Sequence, residues 1–63
     1  MKPHLRLDHG IWVCDGFACV ATFPDLGLSA WDRFIGHGYT VREACHDWQE
    51  QTRAARNAAQ EGR

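Results

Sequence analysis

Three cysteines and four histidines are the residues of this 63-residue chain best suited to chemistry. Cys14 and Cys19 are separated by four residues, Cys45 is followed directly by His46, and His37 lies just before that pair. Zinc takes four Cys or His ligands and can hold a small domain together, so Cys14, Cys19, Cys45 and His46 form the candidate metal set. The spacing speaks against it. A zinc knuckle gathers its cysteines around one tight turn, whereas Cys14 and Cys19 fall on the ends of neighbouring extended segments. Cys45 and His46 are consecutive on an expected helix, where neighbours point about 100° apart. The same geometry denies them a nucleophile–base partnership. Cys45 does sit near a helix N-terminus, where a thiolate is favoured, but that alone makes a reactive thiol and not an enzyme. No spacing among the other His and Asp residues specifies an acid–base pair. The expectation is a non-enzymatic protein with no cofactor and no bound metal, and a zinc-stabilised structural unit is kept as an alternative.

Two further groups bear on binding. Gly36-x-Gly38 precedes a helix start and invites a phosphate-loop reading, but the third glycine and the lysine of such loops are missing. A strand-to-helix corner that needs a permissive backbone explains it better. Of the three tryptophans, Trp12 and Trp48 have places on a strand face and a helix face. Trp31 lies in an irregular stretch and is harder to bury, and exposed Trp is a favoured interface anchor. The expected interaction residues are Trp31 and Phe34, with His37, Tyr39 and Arg42 around the glycine corner.

These residues must be positioned by a few short elements. Leu5 and Leu7 alternate with His4, Arg6 and Asp8, the period-two pattern of a half-buried strand over about 4–8. Asp8-His9-Gly10 carries turn chemistry, and a second strand is expected over about 11–15. Asp15-Gly16 reads as a tight turn leading to a strand over 17–23, with Phe17, Cys19, Ala21 and Phe23 on one face. Pro24-Asp25 breaks the pattern. Ser29 is placed to cap a short helical turn through Phe34, although a strand over 34–39 serves the same apolar residues. Thr40-x-x-Glu43 is a capping box, in which each side chain satisfies the other residue's amide. Val41, Ala44, Cys45, Trp48, Thr52, Ala55 and Ala59 then follow at helical spacing, giving a helix over about 41–58 with an end expected to fray or dock elsewhere. His46 and Glu50 pair at i,i+4. The expected core is Leu5, Leu7, Ile11, Val13, Phe17, Val20, Val41, Cys45 and Trp48.

Composition sets the outer limits. Apolar residues make up 44% of the chain, so it is no disordered tail, yet one small domain over 1–63 is the ceiling at this length. A domain of this size buries only about 60% of its unfolded surface, so a partner or a second copy of the chain would help it. Seven Lys and Arg oppose eight Asp and Glu, with neither sign collected into a block. Nucleic-acid binders usually show a basic stripe, and none is present. The longest weakly polar run, residues 17–23, is far too short to span a bilayer, and no apolar signal region follows the start. An odd cysteine count is a poor disulfide framework. A cytoplasmic protein with reduced thiols and no membrane role is the expectation.

Gly36-x-Gly38-x-Thr40-x-x-Glu43-Ala44 resembles the last strand and helix start of double-stranded-RNA-binding domains, and is similar to a segment of HicB-type antitoxins. Both imply antiparallel strands packed by a helix. The phosphate-contacting lysines of the RNA-binding domains are replaced here by Val41, Arg42 and Cys45, so that function does not carry over. A closer likeness is to short phage and prophage proteins of unassigned function, through Trp12-Val13-Cys14, Gly36-His37-Gly38-Tyr39-Thr40 and Glu43-Ala44 to Trp48. It spans roughly residues 5–50 and implies a module that occupies the surface of a host or viral protein, as anti-CRISPR inhibitors do, in a bacterial cytoplasm. The expected fold is α+β: a three-stranded antiparallel sheet, or one of four strands, packed by one long C-terminal helix. A degenerate RNA-binding or antitoxin-like module is the second functional reading.

Overall fold

A computed structural model describes residues 2–61 and shows a three-stranded antiparallel sheet in the order β1–β2–β3, packed against one C-terminal helix. β1 is His4–Asp8, β2 is Ile11–Phe23, β3 is Leu28–Gly38 and α1 is Val41–Glu61. The α+β arrangement is therefore the expected one, with three strands. His9 and Gly10 join β1 to β2 with φ of 51° and 79°, the two positive values that a tight twisted hairpin turn requires.

Asp15-Gly16 makes no turn, and β2 runs straight through it. Cross-strand demands explain both residues. The Asp15 carboxylate accepts from Arg33 Nε on β3 at 2.7 Å and from Arg6 Nη1 on β1 at 3.3 Å, which ties three strands together. Gly16 has Pro3 lying against it, where an added Cβ would come within 2.7 Å of the Pro3 Cα. The chain reverses later, at a single 3-10 turn over Pro24–Leu26, closed by Gly27 in the left-handed region at φ 65°. The helical turn expected after Ser29 is absent. Ser29 to Phe34 lie inside β3, pairing with β2 from Thr22 back to Gly16. Thus one long hairpin replaces the separate short strands.

The ladder has one irregularity. Cys19 pairs with Trp31 and Ala21 with Ala30, so Val20 is an extra residue on β2. Paired residues share a face, and a bulge exchanges the faces beyond it. Phe17 and Cys19 consequently lie on the face away from α1, while Ala21 and Phe23 move to the α1 side. The expected four-residue stripe is split.

α1 starts as the sequence implies, with one change. The Glu43 amide donates to Thr40 Oγ1 at 3.1 Å, but the Glu43 carboxylate accepts from the Tyr39 amide rather than from Thr40. The helix then lies almost in contact with the sheet backbone. A Cβ on Gly36 would stand 2.5 Å from both the Ala44 oxygen and the Trp48 nitrogen, and one on Gly38 would meet Glu43 and Ala44. Neither glycine has a positive φ, in contrast with Gly10 and Gly27. The corner glycines are thus needed for space and not for backbone freedom.

Such close approach makes a core of small residues. Cys14, Ala18, Ala44 and Thr52 are buried between sheet and helix, with Trp12, Phe34, Cys45 and Trp48 half-buried there. Val13 is buried on the opposite face between Arg6 and His37, and Ile11 and Val20 are half-buried. Leu5, Leu7, Phe17 and Val41, expected in the core, are exposed. Helix side chains also bond to the sheet main chain. Asp47 accepts from the His37 amide at 2.9 Å and Gln51 donates to the Ile35 carbonyl at 2.8 Å, closing the outer edge of β3. Further along, Arg56 donates to the Cys19 carbonyl on β2 at 2.9 Å. The helix therefore crosses obliquely from the β3 edge towards β2. Its last turns dock there, with Ala55 and Ala59 half-buried, while Gly62 and Arg63 of the expected frayed end lie outside the described residues. Among the described residues, no helix is long and apolar enough to cross a membrane.

Candidate interaction surface

α1 covers one face of the sheet and leaves the other open. Side chains on the open face follow from the register: Ile11, Val13, Asp15, Phe17 and Cys19 from β2, Trp31, Arg33, Ile35 and His37 from β3, with His4, Arg6 and Asp8 from β1. Phe17 stands opposite Arg33, so its diagonal neighbours across the ladder are Trp31 and Ile35. These three large apolar side chains, 50%, 54% and 36% exposed in the order Phe17, Trp31, Ile35, form a strip that the Arg33–Asp15 pair crosses between Phe17 and Ile35.

Across the strip runs the charged cluster of the open face. Arg33 grips Asp15 through both Nε and Nη2, and Arg6 holds it from β1. The Asp15 side chain is only 11% exposed. Hydrogen bonding from Arg33 is the main cause, with Arg6 assisting, of a carboxyl pKa lowered to about 2. The paired carboxylate raises the Arg33 pKa in turn. An unfolded aspartate takes up a proton near 3.8, whereas the folded one holds off until about 2. The cluster thus contributes stability above pH 3.8 that is lost as pH falls through about 2. The urea midpoint of the parent should drop across that window more than that of Asp15→Asn. Parallel acid profiles for the two proteins would show that the cluster contributes nothing.

The five expected interaction residues do not form one patch. Trp31 is on the strip as expected. Phe34 pairs with Gly16 on the α1 side and is half-buried, so it cannot extend the Trp31 surface. His37 is exposed on the open face beyond Ile35, and its amide is held by Asp47, whose carboxyl is kept below its usual range by that bond. Tyr39 is 77% exposed, in the strand-to-helix corner, and Arg42 is exposed in the first turn of α1. Sequence reasoning missed Phe17 and Ile35 as surface residues. Their placement depends on the β2–β3 register, which the Asp15-Gly16 turn reading concealed.

The candidate metal ligands are dispersed. Cys14 and Cys45 meet between sheet and helix, where burial and the neighbouring thiol push Cys14 well above the usual thiol pKa. Cys19 lies further along β2, with its thiol directed to the Ala21 carbonyl at 3.5 Å. His46 is exposed and faces Glu50 at 3.8 Å, the expected i,i+4 pair. Among the described residues, no group of three or more His, Cys, Asp or Glu is placed to hold a metal ion. Compared with known protein families, curated proteins and solved structures, the chain finds no match.

Proposed function

We propose that this chain is a non-enzymatic protein-binding module that presents its open sheet face to another protein. The observation that carries this reading is the Trp31–Phe17–Ile35 strip, three large apolar side chains left in solvent on a chain whose core is built from small residues. Aromatic side chains of this kind dominate binding energetics when a partner covers them. The Arg6–Asp15–Arg33 cluster that crosses it supplies charged groups between the apolar ones. It also weighs against the RNA-binding or antitoxin-like alternative, because both open-face arginines are engaged by one carboxylate. Arg42 stands apart from them on α1. In this reading the partner is a host or viral protein in a bacterial cytoplasm, and the mode of action is occupation of its surface, as the likeness to short phage proteins implies.

The test is to isolate the partner from bacterial lysate on immobilised chain, then measure its affinity for variants. Phe17→Ala and Trp31→Ala should each weaken binding by about 2 kcal/mol, roughly 30-fold, while Leu26→Ala at the hairpin tip should leave it unchanged. A partner that binds the Phe17→Ala, Trp31→Ala double variant as well as the parent would refute the open-face reading. Binding to duplex RNA that weakens steeply with salt would favour the alternative.

A further inference from the structure

The hydrogen-bond directions of the whole sheet follow from two contacts. His37 N–H and Ile35 C=O point to Asp47 and Gln51 on α1, hence away from β2. These directions alternate along a strand, so the main chain of Gly36 faces β2 and bonds with its partner Cys14. Val13 and Asp15 must then turn towards β1, where they bond with Arg6 and His4. It follows that the N–H and C=O groups of Leu5 and Leu7 point outward, from the edge where the sheet ends. Their side chains are 40% and 59% exposed on the α1 side, over which α1 does not extend, since it lies across β2 and β3.

The other edges are blunted. Asp47 and Gln51 occupy the outer edge of β3, and the part of β2 beyond β1 carries the Val20 bulge and the Arg56 bond to Cys19. Proteins manage free strand edges with such devices, and among the described residues neither a helix side chain nor a bulge covers the outer edge of β1. We infer that the outer edge of β1 pairs with β1 of a second copy of this chain, antiparallel about a two-fold axis at Arg6.

The segment His4–Asp8 is complementary to itself in that arrangement. Leu5 stands opposite Leu7 of the other copy, so all the outward N–H and C=O groups of both strands are matched. His4 stands opposite Asp8, imidazole against carboxylate. The two Arg6 side chains face each other, but each is already drawn to Asp15 of its own chain. Neighbouring registers lose bonds. An axis at Leu5 sets Pro3, which has no N–H, opposite Leu7, and an axis at Leu7 sets Leu5 against the turn residue His9. The product is a six-stranded sheet with both helices on one face, which joins the two open faces into one surface.

Light scattering of the purified chain over a wide concentration range tests this. The mass should rise from one chain to two as concentration increases. Leu5→Pro removes an outward N–H that the β1–β2 ladder does not use, and should weaken dimerisation at least tenfold with an unchanged circular dichroism spectrum. Leu7→Lys, which keeps the backbone donor and adds a charge at the seam, should do the same, so the result does not depend on the proline variant folding. Phe17→Ala and Trp31→Ala should remain dimeric, which separates this edge from the proposed partner-binding strip. A single-chain mass at every concentration, or a dimer that survives both edge variants, would overturn the inference.

Discussion

Gly36→Ala is expected to destabilise the chain by about 3 kcal/mol or more, a large share of the roughly 3–9 kcal/mol available to a domain of 63 residues. The added methyl group would stand 2.5 Å from two main-chain atoms of α1, the Ala44 oxygen and the Trp48 nitrogen. No rotamer change relieves a clash between backbones, so the helix must lift. Overpacking alone costs about 1–3 kcal/mol. Lifting also stretches the Asp47 and Gln51 bonds to the β3 edge, each worth about 1 kcal/mol or more. Gly10→Ala is the control. A Cβ there meets nothing within 4 Å, and only its positive φ is penalised, by about 1–2 kcal/mol. Urea denaturation followed by circular dichroism reads both variants. A Gly36→Ala protein as stable as Gly10→Ala would mean that the helix does not sit as closely as described.

Trp48→Ala should have an effect of similar size, about 3–5 kcal/mol, the range for truncating a large aromatic side chain. Trp48 is the one bulky residue of the helix stripe that reaches the sheet, and its Nε1 donates to the Gly16 carbonyl at 3.3 Å, joining α1 to the central strand. Its buried neighbours on the helix, Ala44 and Thr52, are too small to expand into the vacated space. Trp48→Phe keeps most of the packing and loses the bond, so about 1 kcal/mol is expected for it. Melting curves of the two variants separate packing from hydrogen bonding. A Trp48→Ala protein that melts within a few degrees of the parent would show that α1 is held by something else.

Signals of short range were legible in the sequence. The Thr40 cap, the helix stripe and the His9-Gly10 turn each depend on residues within a turn of one another, and each is present in the structure; β1 is also a strand, but it is exposed throughout and not half-buried. What was hidden depends on partners far along the chain. Asp15-Gly16 carries strong local turn chemistry, yet Arg33 and Arg6 from two other strands claim the aspartate and Pro3 fills the space beside the glycine. Ser29 to Phe34 has mixed local preference, and pairing with β2 decides it. The core was misjudged for a related reason. Large apolar residues are normally assigned to the interior, but here the corner glycines bring the helix so near that the residues fully buried beneath it are small. Leu5 and Leu7 are exposed for another reason, since α1 lies across β2 and β3 and not over β1, and the register puts Phe17 on the open face. The candidate site was legible only through Trp31, since its neighbours on the strip are set by register.

The glycine seat also acts as a gauge of correct hairpin assembly. The β2–β3 hairpin is a long ladder, and a slip by one residue would turn every side chain to the opposite face. A hairpin with β3 turned over in this way would offer Ile35 or His37 where α1 requires the bare backbone of Gly36. It would also point the wrong amides and carbonyls at Asp47 and Gln51. The helix is made last along the chain and can engage only the register that presents the flat place and the two edge groups together. Docking of α1 thus distinguishes the aligned hairpin from a slipped one, a distinction that a helix resting on bulky, interchangeable side chains could not make.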